Sequence, residues 1–261
     1  MGLVPVITSG RKQPISGFDR NPRPWRYPEM KSRLDIIIPT LNAGTWLEAT
    51  LQVLTRDLRA RDQIRIVDGG SDDQTTGIAE TFRKAGFPVD LGHCDRGRGR
   101  QLAAGARQSD ADWLLFWHAD TRPGDNWRRA VTAFQTQVPA GTAGYFRFRL
   151  DDQTDPGARR VERLVDWRCR RLGLPYGDQG LLIRRADYLK AGGYRDFTIM
   201  EDVDLVRRLG RRNLLPVNAD AITSAARYRR DGYWHRPLRN LGCLALYYCG
   251  MPPDRIARYY A

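Results

Sequence analysis

Apolar residues in this chain come in short runs, and between the runs they recur at helical spacing. WLLFWH (113–118) opens on five apolar residues in a row, the pattern of a strand covered on both faces, and LDIIIP (34–39) and IRIVD (64–68) are short, mainly apolar strands. FPVDLGH (87–93) is a further strand candidate, and GRQLAAGARQS (99–109) carries a helix. Two segments place Glu or Gln three positions after a hydroxyl residue, Thr45-x-x-Glu48 and Ser71-x-x-Gln74, which is the spacing of a capping box. They predict one helix through LEATLQVLTRDL and a second ending near Lys84. Strands alternating with helices of about ten residues imply parallel β-α-β units with right-handed crossovers. The fold class expected is α/β: a Rossmann-like, mainly parallel central sheet flanked by helices.

The second half of the chain is less regular. AGYFRFRL (143–150) alternates like a half-exposed strand, and GLLIRR (180–185) is another strand, preceded by Pro175-Tyr176-Gly177-Asp178-Gln179. RRVERLVDWRCRRL (159–172) has apolar positions at helical spacing with an arginine-rich opposite face, and Met200-Glu201-Asp202 opens a helix. RNLGCLALYYCG (239–250) predicts a short apolar helix, too short to span a bilayer. It is expected to pack on the core, with attachment to a membrane surface as the alternative. Residues 1–33 mix Pro, Arg, Gly and Ser without period, which predicts a flexible N-terminal arm ahead of a single domain over 34–261.

Parallel sheets bind ligands beyond the carboxyl ends of their strands. The three firmest strands end in Pro39-Thr40-Leu41-Asn42, in Asp68-Gly69-Gly70-Ser71 and in His118-Ala119-Asp120, so three polar clusters are expected on one rim. A single Asp after a strand commonly serves a turn; three polar clusters at corresponding places indicate a site. A carboxylate there suits a magnesium or manganese ion that bridges a diphosphate, because hard cations take oxygen ligands and use few from protein. Asp120 leads as the ligand, and His118, two residues back on the same side, is either a second ligand or a structural histidine.

Composition narrows the partners. At 261 residues and 41% apolar content the chain can bury a full core, and no run of about 18 apolar residues predicts a membrane span. The N-terminal MGLVPVITSGRKQP lacks the long apolar middle of a signal peptide, so the expected location is the cytoplasm, with membrane association at most peripheral. Cys94, Cys169, Cys243 and Cys249 form no C-x-x-C pair, which argues against a zinc ribbon or redox couple. The net charge of +13 rests on arginine, with lysine only at positions 12, 31, 84 and 190. Either a polyanionic partner or a solvated basic surface accounts for it. No helix-turn-helix, zinc-finger or RNP signature accompanies the charge, so nucleic acid is not expected as the partner.

PTLNAGTWLEATLQVL, IRIVDGGSDDQT, GRGRQLAAGA, LLFWHADT, GDQGLLIRR and GGY…MEDVDLVRRL, in that order over about residues 34–230, resemble the family 2 glycosyltransferases of GT-A fold. GRGRQLAAGA…HADT, YGDQG, MEDVDL and TSAARYRRDG are most similar to the transferases associated with radical-SAM and selenodomain proteins. The resemblance implies an inverting, metal-dependent enzyme that moves a sugar from a nucleotide-diphosphate sugar to an acceptor hydroxyl, with Mn2+ or Mg2+ as cofactor. It implies a nucleotide-binding half over 34–121 and an acceptor half with the C-terminal helices over 122–261. Pro39, Thr40, Asn42 and Asp68 would hold the nucleoside, and Arg98 and Arg100 the base or phosphates. Asp120 would bind metal and diphosphate, and His118 stands where the family pattern has an acid. Glu201 and Asp202 match the acceptor-side acid pair, with Asp202 as general base. For that pair the competing role is the helix-terminal acid that the dipole favours.

Asp178 and Gln179 either orient donor or acceptor or stabilise a turn. Arg227, Arg229 and Arg230 are candidates for a second diphosphate clamp or for solvated surface. Two other functions fit part of the pattern. A nucleotidyltransferase making sugar nucleotides would want a glycine-rich, lysine-assisted loop after the first strand, which 41–44 does not offer. A non-catalytic basic module for nucleic acid or anionic membrane would need only the charge.

Overall fold

A computed structural model describes residues 32–152, 154–233 and 235–260. The arm predicted over 1–33 therefore lies, but for its last two residues, outside the described residues. In chain order the elements are β1 (Leu34–Thr40), α1 (Gly44–Arg56), β2 (Gln63–Asp68), α2 (Thr75–Lys84), β3 (Val89–His93), α3 (Arg98–Arg107), β4 (Trp113–Phe116), β5 (Thr121–Pro123) and α4 (Trp127–Gln137). Then follow β6 (Ala143–Leu150), α5 (Pro156–Leu172), β7 (Leu181–Arg184), α6 (Arg185–Lys190), α7 (Glu201–Leu209), β8 (Leu214–Thr223), α8 (Ala226–Asp231), α9 (His235–Tyr248) and α10 (Pro253–Tyr260).

The strands form one sheet in the order β3-β2-β1-β4-β7-β6-β8-β5. β3, β2, β1 and β4 are mutually parallel, as the alternation of strands and helices predicts. β7 runs antiparallel to both β4 and β6, and β6 is parallel to β8. Side chains of β1 and β4 alternate between two apolar clusters: Ile37, Leu114 and Phe116 join one, and Leu34, Ile36, Ile38, Trp113, Leu115 and Trp117 the other. That division explains the short apolar runs, since successive residues of a strand point to opposite faces.

Several local expectations need correction. Neither predicted capping box forms: α1 starts at Gly44 and α2 at Thr75, with no side-chain bond from the capping residue of either. The loop after β2 caps both helices instead. Asp73 Oδ2 accepts from Gly44 N at 2.8 Å and Asp73 Oδ1 from Thr75 N at 2.9 Å, while Thr75 Oγ1 accepts from Ala43 N. β4 ends at Phe116, two residues short of the predicted run, and β5 and the ten-residue β8 were not foreseen. Pro216 and Asn218 make β8 look unlike a strand, yet the register against β6 shifts just there, and a bulge is where a sheet tolerates proline. α9 buries Cys243 and Leu244 in the core but leaves Leu238, Leu241 and Tyr248 exposed. Among the described residues no helix is long and apolar enough to cross a membrane.

Candidate functional site

The parallel register sets the strand ends side by side. Thr40 stands opposite Asp68, and Asp68 opposite His93. Thr40 Oγ1 donates to Asp68 Oδ1 at 2.9 Å. Gln101 of α3 donates to the carbonyls of both Thr40 and Val67, which ties the ends of β1 and β2 together. Asn42 adopts a left-handed backbone, φ 52, a conformation asparagine tolerates better than most residues. Its N–H donates to Ser71 Oγ and its Oδ1 accepts from Asp72 N.

Beyond β4 the chain turns sharply. Trp117 N still donates to Ile37 O, and Thr121 N closes the turn on His118 O. Buried Thr50 of α1 donates to the carbonyl of Ala119, and Trp117 Nε1 to that of Thr121. The strand ends in a carboxylate because this pinned turn, rather than the strand, carries His118 and Asp120.

Facing that turn is the segment before β7. Gly177 approaches His118 so closely that a Cβ there would lie 2.6 Å from His118 Nε2 and 3.4 Å from Asp202 Oδ2. Gly177 N donates to Asp202 Oδ2 at 2.7 Å. Gln179 is 1% exposed. Its Oε1 accepts from Tyr176 N and Arg168, and its Nε2 donates to Phe146 O, so it shapes the turn. Arg168 also stacks on the Tyr176 ring, 3.4 Å from the centroid.

α7 enters through Met200, a non-glycine residue at φ 66, a conformation that persists only where its surroundings impose it. Glu201, 1% exposed, pairs with Arg98 Nε, and Arg98 also lies 3.7 Å from Asp202 Oδ2. A Cβ at Gly99 would meet the carbonyl oxygen of Arg195, so glycine permits the close approach of α3 to the segment leading into α7.

These pieces enclose one cavity of about 760 Å³. Of the residues expected from sequence, Pro39, Thr40, Arg98, His118, Asp120, Asp178 and Asp202 line it. Asn42 and Asp68 stand behind the wall and hold its loops. Glu201 lies behind Arg98. Arg100, two residues along α3 and hence on another face, is held outside by Asp95 and Asp196. Arg229 is 55% exposed and pairs with Asp152; in that segment Tyr228 lines the cavity. The side chain of Arg227 lies outside the described residues. Sequence reasoning missed Trp46, Arg96, Tyr176, Ile199, Met200 and Tyr228 as lining residues; apart from the basic run containing Arg96, nothing in local pattern marks them.

The carboxylates of the cavity crowd one another. Burial pushes the Asp178 pKa up to about 6, Arg168 opposes the rise, and the charges of Asp202 and Asp120 add to it. Asp178 Oδ1 and Glu201 Oε2 are buried without a hydrogen-bond partner, and burial likewise raises the pKa of Glu201 against the pull of Arg98. Among the described residues no group of three or more His, Cys, Asp or Glu is placed to hold a metal alone. An orphaned carboxylate oxygen beside two further acids nonetheless fits a hard cation that shares its ligands with a diphosphate.

The fold is that of the GT-A glycosyltransferases. Mannosyltransferase PcManGT from Pyrobaculum calidifontis, solved with GDP-Man and Mn2+, superposes with a TM-score of 0.59 at 16% identity, covering 81% of this chain and 62% of that one. S. aureus TarS 1–349 in complex with UDP gives 0.57 at 14% identity, covering 74% and 61%. The chain belongs to glycosyl transferase family 2, whose model matches residues 35–235. It is 36% identical over 87 residues to a PGL/p-HBAD biosynthesis glycosyltransferase of Mycobacterium tuberculosis, covering 33% of this chain and 34% of that protein. It is 30% identical over 89 residues to the O-antigen chain rhamnosyltransferase RfbN of Salmonella typhimurium, covering 34% and 28%. The chain thus spans about a third of the length of these curated relatives.

Proposed function

We propose that this chain transfers a sugar from a nucleotide-diphosphate sugar to an acceptor hydroxyl, with inversion at the anomeric carbon. The observation that carries the reading is the meeting of Asp120, Asp178, Asp202, His118 and Arg98 in one cavity at the carboxyl ends of β1 and β4. Solved neighbours of the same fold hold UDP, UDP-GlcNAc or GDP-Man with Mn2+, which supports the donor class. Residues 34–121 serve as the donor half and 122–261 as the acceptor half of one domain. Pro39 and Thr40 contact the nucleoside, and Asn42 and Asp68 hold their loops. The narrower likeness to radical-SAM-associated transferases rests on the GRGRQLAAGA, YGDQG and MEDVDL segments.

Asp202 acts as the general base. Gly177 N and Val203 N each donate to one of its oxygens at 2.7 Å, which fixes the carboxylate while leaving lone pairs toward the cavity. The acceptor oxygen attacks the anomeric carbon from the face opposite the nucleotide as its proton passes to Asp202. The bond from carbon to phosphate oxygen breaks, and the diphosphate leaves. Arg98, oriented by Glu201, meets the negative charge that develops on the leaving group. Asp120, with His118 and Asp178, would hold a divalent cation, which would supply further positive charge to the leaving diphosphate. The acceptor enters past Tyr176, Met200 and Tyr228, and peripheral contact with a membrane belongs to this reading as the route of a lipid-borne acceptor.

Thermal-shift titration with UDP-, GDP- and dTDP-sugars, with and without manganese, tests the proposal. One donor is expected to raise Tm in a manganese-dependent way, with the shift lost in Asp120→Ala. Binding that ignores manganese and survives Asp120→Ala would refute the metal assignment.

A further inference from the structure

α5 turns Ala158, Val161, Val165 and Cys169 into the core. Its outer face sets Leu164, 44% exposed, and Trp167, 53% exposed, among the exposed arginines Arg160, Arg163, Arg170 and Arg171. At about 100° per residue these six side chains fall within an arc of about 120° centred on Trp167. The two acids of the helix neutralise that face only at Arg170. Glu162 is buried beneath Arg149 and Arg159, and Asp166 pairs with Arg170. Arg160 and Arg171 have no acidic partner among the described residues.

An indole ringed by guanidinium groups matches the boundary between lipid headgroups and acyl chains, where aromatic rings anchor and cations meet phosphate. The net charge of +13 complements an anionic leaflet over a wider area. α9 exposes Leu238, Leu241 and Tyr248, but Arg239 is the only basic residue among its own described side chains, with Arg207 of α7 stacked on Tyr248, against the four arginines on the outer face of α5. The helix cannot insert, because its inner face is already committed to the core.

We propose that the outer face of α5 is the surface by which this protein docks on an anionic bilayer. The proposal deepens the peripheral contact named above, yet it stands apart from sugar transfer, because vesicle binding is measured without donor or acceptor.

The test is co-sedimentation of the full chain with vesicles of phosphatidylcholine alone and of phosphatidylcholine mixed with phosphatidylglycerol. Wild type is expected to pellet with the mixed vesicles only and to be released by salt. Arg160→Gln with Arg171→Gln is expected to lower the partition coefficient about thirtyfold, and Trp167→Ala about tenfold. Arg160→Lys with Arg171→Lys retains binding, which separates charge from any change of fold. Absence of vesicle binding, or full binding by the Gln pair, would overturn the proposal. Loss of binding in Leu241→Ser alone would move the surface to α9 and overturn it too. Binding of a single-stranded oligonucleotide in place of vesicles, abolished in the Gln pair, would replace the bilayer with nucleic acid.

Discussion

The two walls of the cavity treat their carboxylates in opposite ways. Behind the wall built from the ends of β1 and β2, the carboxylates of Asp68 and Asp73 are saturated. Asp68 accepts from Thr40 Oγ1, Gly70 N, Ser71 N and Ser71 Oγ. Burial alone would raise its pKa, but these bonds more than offset the burial and leave it below 3.8. Asp73 is likewise lowered, chiefly by Thr75. On the wall built from 176–180 and α7, Asp178 and Glu201 each keep a buried oxygen without a partner, and both pKa values are raised. A saturated carboxylate fixes shape; an unsatisfied one stores a demand that a ligand can meet. The first wall is a scaffold for loops, and the second is completed only by what binds.

Substitutions test this contrast. The largest effect is expected from Asp202→Asn, which removes the base while keeping its size: turnover should fall about a thousandfold, with donor affinity within about twofold by calorimetry. Full turnover in that variant would take Asp202 out of the base role. Next comes Asp68→Ala, which leaves several donors of the scaffold wall unpaired and should cost about 3 kcal/mol in urea unfolding. Because the folded pKa of Asp68 is depressed, its contribution is full above pH 3.8 and is lost as the pH falls through the lower folded value. The difference between wild type and variant should therefore shrink only in strong acid.

Asp178→Asn should do the reverse. The folded pKa of Asp178 is raised from 3.8 to about 6, so its ionised form destabilises the ligand-free protein above that value. The variant should gain on the order of 1–3 kcal/mol at pH 7.5, with the gain vanishing below pH 3.8, while losing the manganese-dependent shift with donor. A destabilised Asp178→Asn at neutral pH would erase the distinction between the walls. The smallest effect is expected from Arg229→Gln, whose exposed pair with Asp152 contributes within about 0.5 kcal/mol and whose loss should leave donor affinity unchanged.

β1 and β4 were legible because they lie between two apolar layers, and a strand covered on both faces reads as a mainly apolar run; β2 was legible from Ile64 and Ile66, which alternate with Arg65. β8 was hidden because its Pro216 and Asn218 make sense only against the bulge in its pairing with β6. The capping boxes failed because Asp73, brought beside Gly44 by the pairing of β1 with β2, displaced the local side chains. Thr40, His118 and Asp120 were legible as candidates because polar residues gathered at the ends of strands, and Asp178 and Asp202 because their segments, YGDQG and MEDVDL, resemble those of the family. Arg100 was expected in the site from the family resemblance and Arg229 from its arginine-rich segment, yet each faces an acid elsewhere on the surface.

The sequence by itself determined the alternation of strands and helices, the parallel half of the sheet, and the order in which polar clusters reach its rim. These follow from periodicity, which depends only on near neighbours along the chain. Only the tertiary structure decided which carboxylates are saturated and which are left wanting, because that depends on partners such as Arg98 and Glu201, 103 residues apart. Burial and charge act through space, and no local pattern records which distant groups a fold will bring within a few ångströms of each other.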